Sequence, residues 1–533
     1  MFKSTQKLST GLLLYGFLNA ALYTSLIPLW EGFDEEFHYG YVQYLVEHRA
    51  FPVLGHTGLS DEINRSIGLL PMSYVMIENL HLTGVRTFDQ FFALDSPTRH
   101  ELRNEANRIP ASLRATESTP YSKNYEVHHA PLAYLLMAIP EAALTRIPLP
   151  TRVWIIRFLA TAVCVSLMAS GVRALGREAG MPEPLAALLL FLVFSCQMFW
   201  ATVGHIGNDW LSVPLAVWMI VWALRSNREP LPNSRAWLGI VTGLGLLSKA
   251  YFLVFAPLLV LAAANWYRFR RIDGRGVALL LAPPLVLAGP WYLRNLIVSG
   301  NLSGRLEESS GVTVQSAMAS LSSIPWAKSI PFMARGAFWM GNSSFTDFSV
   351  NTMNLVLALL ALALVLYLLK APRPAAEIFL WAPVLLFFAA MIYVAGSSYS
   401  YTKGVATAAS PWYLQAIMPS LLCLALLGCR NAGRWGRWLA AATAILWGYV
   451  LAATYLAKLF PLYGGFGGGR STLRDLLHWY QNDWHRISDI LATTAMAPPA
   501  LLFLLTAALV ILLIALLTEI VRGVDFVPHS LKK

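Results

Sequence analysis

Charge is scarce in this 533-residue chain: Asp, Glu, Lys and Arg together make up 13%, against 56% hydrophobic residues. With a mean hydropathy of +0.53, that scarcity excludes a soluble globule, whose composition runs to about 25% charged residues. Acid is scarcer than base, 29 residues against 40, leaving a formal charge of +11. The arginines do not form the continuous basic face that binds nucleic acid. They sit in short clusters at the ends of apolar segments, the pattern of topology signals, so no nucleic-acid partner is expected. Cysteine is limited to Cys164, Cys196, Cys423 and Cys429, all within or beside apolar stretches. They show neither metal-ligand spacing nor paired loop positions, and they read as small hydrophobes. No P-loop and no GxGxxG opening a helix is present, which disfavours an enzyme using ATP or a nucleotide-sugar. The ten-residue alternation of a transmembrane barrel is missing as well.

What remains is a series of apolar runs near the length of about 20 residues that crosses a hydrocarbon core. Backbone polar groups in lipid need internal partners, so these runs are helices. Lys3 and Lys7 precede a run that lacks a small-residue cleavage site, and it reads as an uncleaved first span. Placing those lysines inside puts Arg173 and Arg177; Arg225, Arg228 and Arg235; Arg268, Arg270, Arg271 and Arg275; Lys370 and Arg373; Arg430, Arg434 and Arg437; and Arg522, Lys532 and Lys533 on the same side. The resulting spans lie near 8–30, 152–172, 185–203, 210–224, 236–249, 251–267, 276–298, 351–369, 376–396, 411–428, 438–458 and 497–518. The expected fold is all-α: a polytopic bundle of about 12 transmembrane helices with outer-face loops and interfacial helices. Counting Pro131–Pro148 as a span would invert every later loop, so it is expected as a short helix in the outer interface. Residues 1–460 form the expected transmembrane domain with outer loops 31–130 and 299–350; residues 461–533 add an amphipathic outer segment and the last span. Glycines at 464–469 followed by aromatic His478–His485 suggest a flexible linker before an amphipathic helix, or an outer-leaflet contact.

Candidate chemistry gathers in the outer loops. Glu31, Asp34, Glu35 and Glu36 put four carboxylates within six residues where the first span leaves the membrane. Helix capping uses one or two acids, not four. The same loop ends on Glu126, His128 and His129, a carboxylate with groups that carry protons or donate to phosphate. His205, Asn208 and Asp209 occupy a tight turn between spans, where Asn and Asp are also ordinary turn residues. Lys249, Arg294 and Lys403 supply outer-face cations, with snorkelling to headgroups as the plain alternative for the first two. Outside the cytoplasm an activated sugar arrives on a lipid carrier. Displacing lipid phosphate from it needs a carboxylate to take the acceptor proton and cations to hold the departing phosphate.

The segment Asp34-Glu35-Glu36-Phe37-His38, followed by Tyr44-Leu45-Val46-Glu47-His48-Arg49-Ala50-Phe51-Pro52, resembles the first-loop signature of GT-C fold, polyprenyl-phosphate-sugar-dependent glycosyltransferases. His129-Ala130-Pro131-Leu132, Asn208-Asp209, Ser248-Lys249, Gly289-Pro290-Trp291-Tyr292-Leu293-Arg294-Asn295 and Pro411-Trp412-Tyr413-Leu414 follow in the order of the family's later motifs. The resemblance, to the protein O-mannosyltransferase and lipid A aminoarabinose transferase relatives, implies Asp34 as catalytic base with Glu35 beside it. It also implies substrate or phosphate contacts from His38, Glu126, His128, His129, His205, Asn208, Asp209, Lys249, Arg294 and Lys403. Ala130 and Pro411-Trp412 depart from the pattern, the latter at an expected arginine, so the phosphate charge would fall to Lys403, Lys249 or Arg294. The expectation is a multi-pass protein of a bacterial inner membrane. It moves a sugar from a polyprenyl-phosphate donor to a hydroxyl acceptor on a lipid, glycan or protein, with inversion, and a divalent metal is left open. The rivals are a flippase for lipid-linked glycan, which would carry mid-membrane ionisable groups and two related halves, and an O-antigen-type polymerase or ligase.

Overall fold

The computed structural model describes residues 5–111, 123–228, 231–305, 307, 310–370, 377–466 and 472–523. Lys3, Arg373, Lys532, Lys533 and glycines 467–469, all used above, lie outside them. Among the described residues there is no strand, only an isolated bridge between Met72 and Thr87. Every one of the twelve expected intervals holds helix.

Length and apolarity single out fewer spans than twelve. Seven helices qualify alone: Leu149–Glu178, Ala250–Arg268, Gly274–Ser299, Val350–Leu369, Ile378–Tyr401, Arg434–Tyr463 and Pro499–Gly523. An eighth arises if Glu183–Phe194 and Gln197–Val203, bent by 63° at their junction, count as one. The other four fall short for visible reasons. Pro232–Leu246 and Met418–Asn431 have 15 and 14 residues, about 22 Å at 1.5 Å per residue. Asp209–Arg228 carries charge at both ends and Pro214 inside. Thr5–Leu26 gives positions to Asn19, Thr24 and Ser25, all buried. Asn19 donates to Tyr15 O (3.0 Å) and accepts from Tyr455 OH (3.2 Å), so its polarity is satisfied within the bundle. The 131–148 segment forms a 13-residue helix, Leu132–Leu144, shorter than a span, as expected.

Two chemically different ends result. At one, Arg225 and Arg228 reach Glu178 (2.6 Å to its side chain and 2.6 Å to its carbonyl), and Arg430 donates to Gly180 O at 2.8 Å. At the other, the Leu149–Glu178 helix buries two arginines that tie the 31–130 loop to the bundle. Arg152 lies 2.5 Å from Glu62 and 3.2 Å from Glu141, which also accepts from Tyr39 OH at 2.8 Å. The described residues after 471 contact both the first outer loop and the bundle. Asp489 of the Trp484–Thr494 helix binds Arg99 (2.5 Å), His100 (2.8 Å) and Ser96 (2.8 Å) of the Ser96–Asn107 helix. The last helix, Pro499–Gly523, packs on Thr5–Leu26.

Candidate active site

The first helix of the outer loop, Glu35–His48, starts at an acid that does not cap it. Asp34 holds the N-cap position at φ 52°, a left-handed conformation that Asp tolerates better than most residues, and its side chain makes no capping hydrogen bond. Instead Tyr125 OH donates to Asp34 Oδ1 at 2.5 Å. Burial first, and the nearby Glu126 charge second, push the Asp34 carboxyl up to about 7, against the Tyr125 bond and the Lys249 charge. Such a group is poised to exchange a proton near neutrality.

Its neighbours divide sharply. Glu35 is wholly buried against Arg157: Arg157 Nε donates to Oε1 at 2.6 Å and Nη2 donates to Oε2. The Ile206 N–H also donates to Glu35, at 2.9 Å. With the carboxylate so engaged, the catalytic role expected for Glu35 does not fit its surroundings; it is a buried anchor that holds the His205–Asn208 turn. Glu36 is buried with neither carboxyl oxygen hydrogen-bonded, and burial raises its carboxyl far above the usual range.

Around Asp34 lies a polar cluster. His129 Nε2 is 2.6 Å from Glu126 Oε2, His38 Nδ1 is 3.7 Å from the same oxygen, and Tyr134 OH lies 2.8 Å from His38 Nδ1. Burial drives His128 down to about 4 and His129 to about 3, reinforced by His129 and Lys249 respectively. Burial also lifts Glu126. The imidazoles are thus neutral hydrogen-bonding groups near pH 7, not the cations a phosphate would want. His205 Nδ1 bonds Ala201 O at 2.9 Å and its ring faces His38 at 6.4 Å. Glycine at 32 is required there, since a Cβ would stand 2.4 Å from His205 Cβ. Asn208 is buried with both side-chain polar atoms unbonded. Asp209, at the start of its helix, bonds Lys249 Nζ at 2.6 Å.

Lys249 faces a cavity of about 400 Å³. Glu126, His128, His129, Arg305 and Glu307 give it a polar side, and Leu253, Val254, Phe387, Met391 and Val394 an apolar one. Tyr125 lines it too, linking it to Asp34. Each cation is held by an acid: Lys249 by Asp209, and Arg305 by Glu307 at 2.8 Å. Burial opposes the Glu307 charge, but Arg305 keeps that carboxyl below its ordinary range. Two expected cations are elsewhere. Arg294 donates to Pro52 O (2.8 Å) and lies over the Trp291 ring (4.8 Å), clasping the loop after Glu35–His48. Lys403 is exposed at φ 52° beyond the Ile378–Tyr401 helix and does not line the cavity. Among the described residues no three His, Cys, Asp or Glu side chains converge as metal ligands.

No protein-family model matches this chain, and no curated protein does. Solved structures do show similarity. ArnT from Cupriavidus metallidurans, bound to undecaprenyl phosphate, aligns at 13% identity and a TM-score of 0.43 over 86% of this chain and 73% of that one. The Archaeoglobus fulgidus oligosaccharyltransferase in its apo form aligns at 14% and 0.38 over 92% of this chain and 60% of its own length. Its complex with zinc and sulfate aligns at 13% and 0.35, covering 86% of this chain and 62% of its own.

Several of the residues that matter were not foreseen. Arg305 and Glu307 lie just past the end of the Gly274–Ser299 helix, and a charged pair beyond a helix end was the available signal. Tyr125 adjoins Glu126, and nothing in the sequence alone sets it apart from other loop aromatics. Arg152 and Arg157 fell inside an interval read as span; an arginine within an apolar run is costly unless paired, which pointed to acids in the adjoining loop.

Proposed function

We propose that this protein is a membrane glycosyltransferase that takes a sugar from a polyprenyl-phosphate donor and gives it to a hydroxyl acceptor. One observation carries the reading: a cavity lined by two cations and neutral imidazoles and by a group of apolar side chains, joined through Tyr125 to a carboxyl held near 7. An amphiphile with an anionic head and a hydrocarbon tail matches both halves of that cavity. Lys249 and Arg305 hold the phosphate, and Leu253, Val254, Phe387, Met391 and Val394 the first isoprene units.

In the proposed step Asp34 takes the proton of the acceptor hydroxyl as its oxygen bonds the anomeric carbon. The bond from that carbon to the phosphate oxygen breaks, and polyprenyl phosphate leaves with the electron pair. A single displacement inverts the anomeric centre. Lys249 and Arg305 stabilise the charge that develops on the leaving oxygen. Asp209 and Glu307 hold the two cations in place beforehand. The arginine-rich end faces the cytoplasm and the cavity the exterior, as in a bacterial inner membrane. The decisive test incubates the purified protein with radiolabelled polyprenyl-phosphate sugars and follows loss of label from the lipid. Asp34→Asn should slow that loss by about a hundredfold or more, the scale of a lost general base. Full activity in Asp34→Asn, or no donor consumed by the wild type, would overturn the reading.

A further inference from the structure

A second cavity, of about 500 Å³, opens at the same end of the molecule and takes no part in the chemistry above. One wall is the short Phe88–Phe92 helix of the first outer loop with Ala93; the other is Gly465 and Phe466 with the Leu473–Asn482 helix and its successor. Aromatic rings meet within it. Phe466 and Trp479 are tilted at 5.1 Å between centroids, and Phe92 lies across from them. Planar polar groups line it as well: Asp89, Asp475, Asp483, His478 and Arg486.

Both walls converge on one residue. Phe88, next to Asp89, packs on the Tyr463 ring at 5.5 Å, and Gly465 and Phe466 follow Tyr463 in the chain. Tyr463 OH in turn donates to Glu31 Oε1 at 3.3 Å, three residues before Asp34. The shape depends on Gly465, at φ 80°: a Cβ there would stand 2.5 Å from Ile490 Cδ1. The cavity is therefore built into the framework that carries the proposed base.

The chemistry of the lining selects among ligands. A phosphorylated or otherwise anionic ligand would meet three aspartates. A polycation would meet Arg486. Carboxylates and a guanidinium interspersed over aromatic rings suit a neutral polyhydroxylated chain, whose C–H faces lie on the rings while vicinal hydroxyls bond the planar side chains. We propose that this cleft binds a neutral oligosaccharide. Its use as the acceptor subsite rests on the transfer reaction proposed above; binding itself does not.

The test uses the full-length protein in nanodiscs with no donor present and neutral maltohexaose, cello-hexaose and mannohexaose as probes, read by saturation-transfer NMR. Transfer to at least one probe is expected. It should weaken by about tenfold in affinity for each of Asp89→Ala and Arg486→Ala, the scale of one or two lost hydrogen bonds. Both side chains are exposed, so the fold should tolerate these changes. Donor hydrolysis to water should be unchanged in both variants, while KM for the acceptor rises and kcat holds. No transfer to any probe, equal transfer in the variants, or preferential binding of an oligolysine peptide overturns the cleft as a saccharide site. Saccharide binding by a protein that consumes no polyprenyl-phosphate sugar leaves the cleft standing and removes the proposed transferase activity.

Discussion

Replacing Glu35 by Gln distinguishes an anchor from a catalyst. The carboxylate accepts from Arg157 Nε and Nη2 and from the Ile206 N–H, and neither Glu35 nor Arg157 is exposed. Arg157 also donates to the carbonyls of Ile27 (2.8 Å) and Pro28 (2.9 Å), where the chain leaves the first helix for Asp34. Gln keeps the shape of the side chain and one oxygen acceptor, but it leaves the guanidinium buried without a counter-charge. Breaking one partner of a buried pair costs roughly 3–5 kcal/mol. The companion Arg157→Met should cost a similar amount by stranding the carboxylate. The double variant, which strands no charge, should recover most of the loss, giving a coupling energy of at least about 2 kcal/mol in a double-mutant cycle. Reversible unfolding in mixed micelles, followed by tryptophan fluorescence, measures all four corners. Turnover per folded molecule in Glu35→Gln should stay within about tenfold of wild type, far above the loss expected from removing a general base. A Glu35→Gln protein as stable as wild type but inactive would refute the anchor and return Glu35 to the chemistry.

Lys249→Met should weaken donor use by about 10- to 150-fold, the equivalent of roughly 1.5–3 kcal/mol for a charge-assisted bond. Asp209→Asn, which frees the lysine without removing it, should cost much less in donor KM. The acid limb of kcat/KM should fall near pH 7, because Asp34 is active only when ionised and its carboxyl is raised to about 7. Glu126→Gln removes a charge that raises Asp34, so the limb should move to lower pH; a limb that stays or moves up contradicts the pairing. Gly428→Ala places a Cβ 2.0 Å from Ala363 O, and it should destabilise the protein by about 1–3 kcal/mol in the same unfolding assay. In intact cells, an impermeant maleimide should label Val405→Cys and should reach Trp435→Cys only after permeabilisation; both native side chains are well exposed. Reversed labelling would invert the proposed orientation.

The helices were legible because lipid leaves the backbone no other choice, and twelve apolar intervals became twelve helical regions. Their number as spans was not, because polar residues such as Asn19 and Asp209 find partners inside the bundle that a hydropathy profile cannot see. The outer acids were legible as a group, but their division of labour was not. Glu35 and Asp34 are adjacent in sequence, and only the fold sets Arg157 against one and Tyr125 against the other. The cations were read by their place in the chain. Lys249 lines the cavity and Arg294 turns to a carbonyl because of loops folded over from 40 and 242 residues away.

The break between Glu183–Phe194 and Gln197–Val203 bears on how the protein is made. At that corner the Met198 N–H donates to Phe338 O (3.1 Å) and the Gln197 side chain donates to Gly341 O (2.9 Å). A ribosome delivering the chain from its N-terminus inserts the corner more than a hundred residues before either acceptor exists. Until then the corner's donors lack their native partners, and within a bilayer an unmet backbone group costs several kcal/mol. The nascent protein must shelter them in water, in the insertion machinery or in a straighter helix that bends later. Translation that stalls between residues 200 and 338 should therefore yield a product that is inserted yet open to proteolysis, and release of the stall should close it.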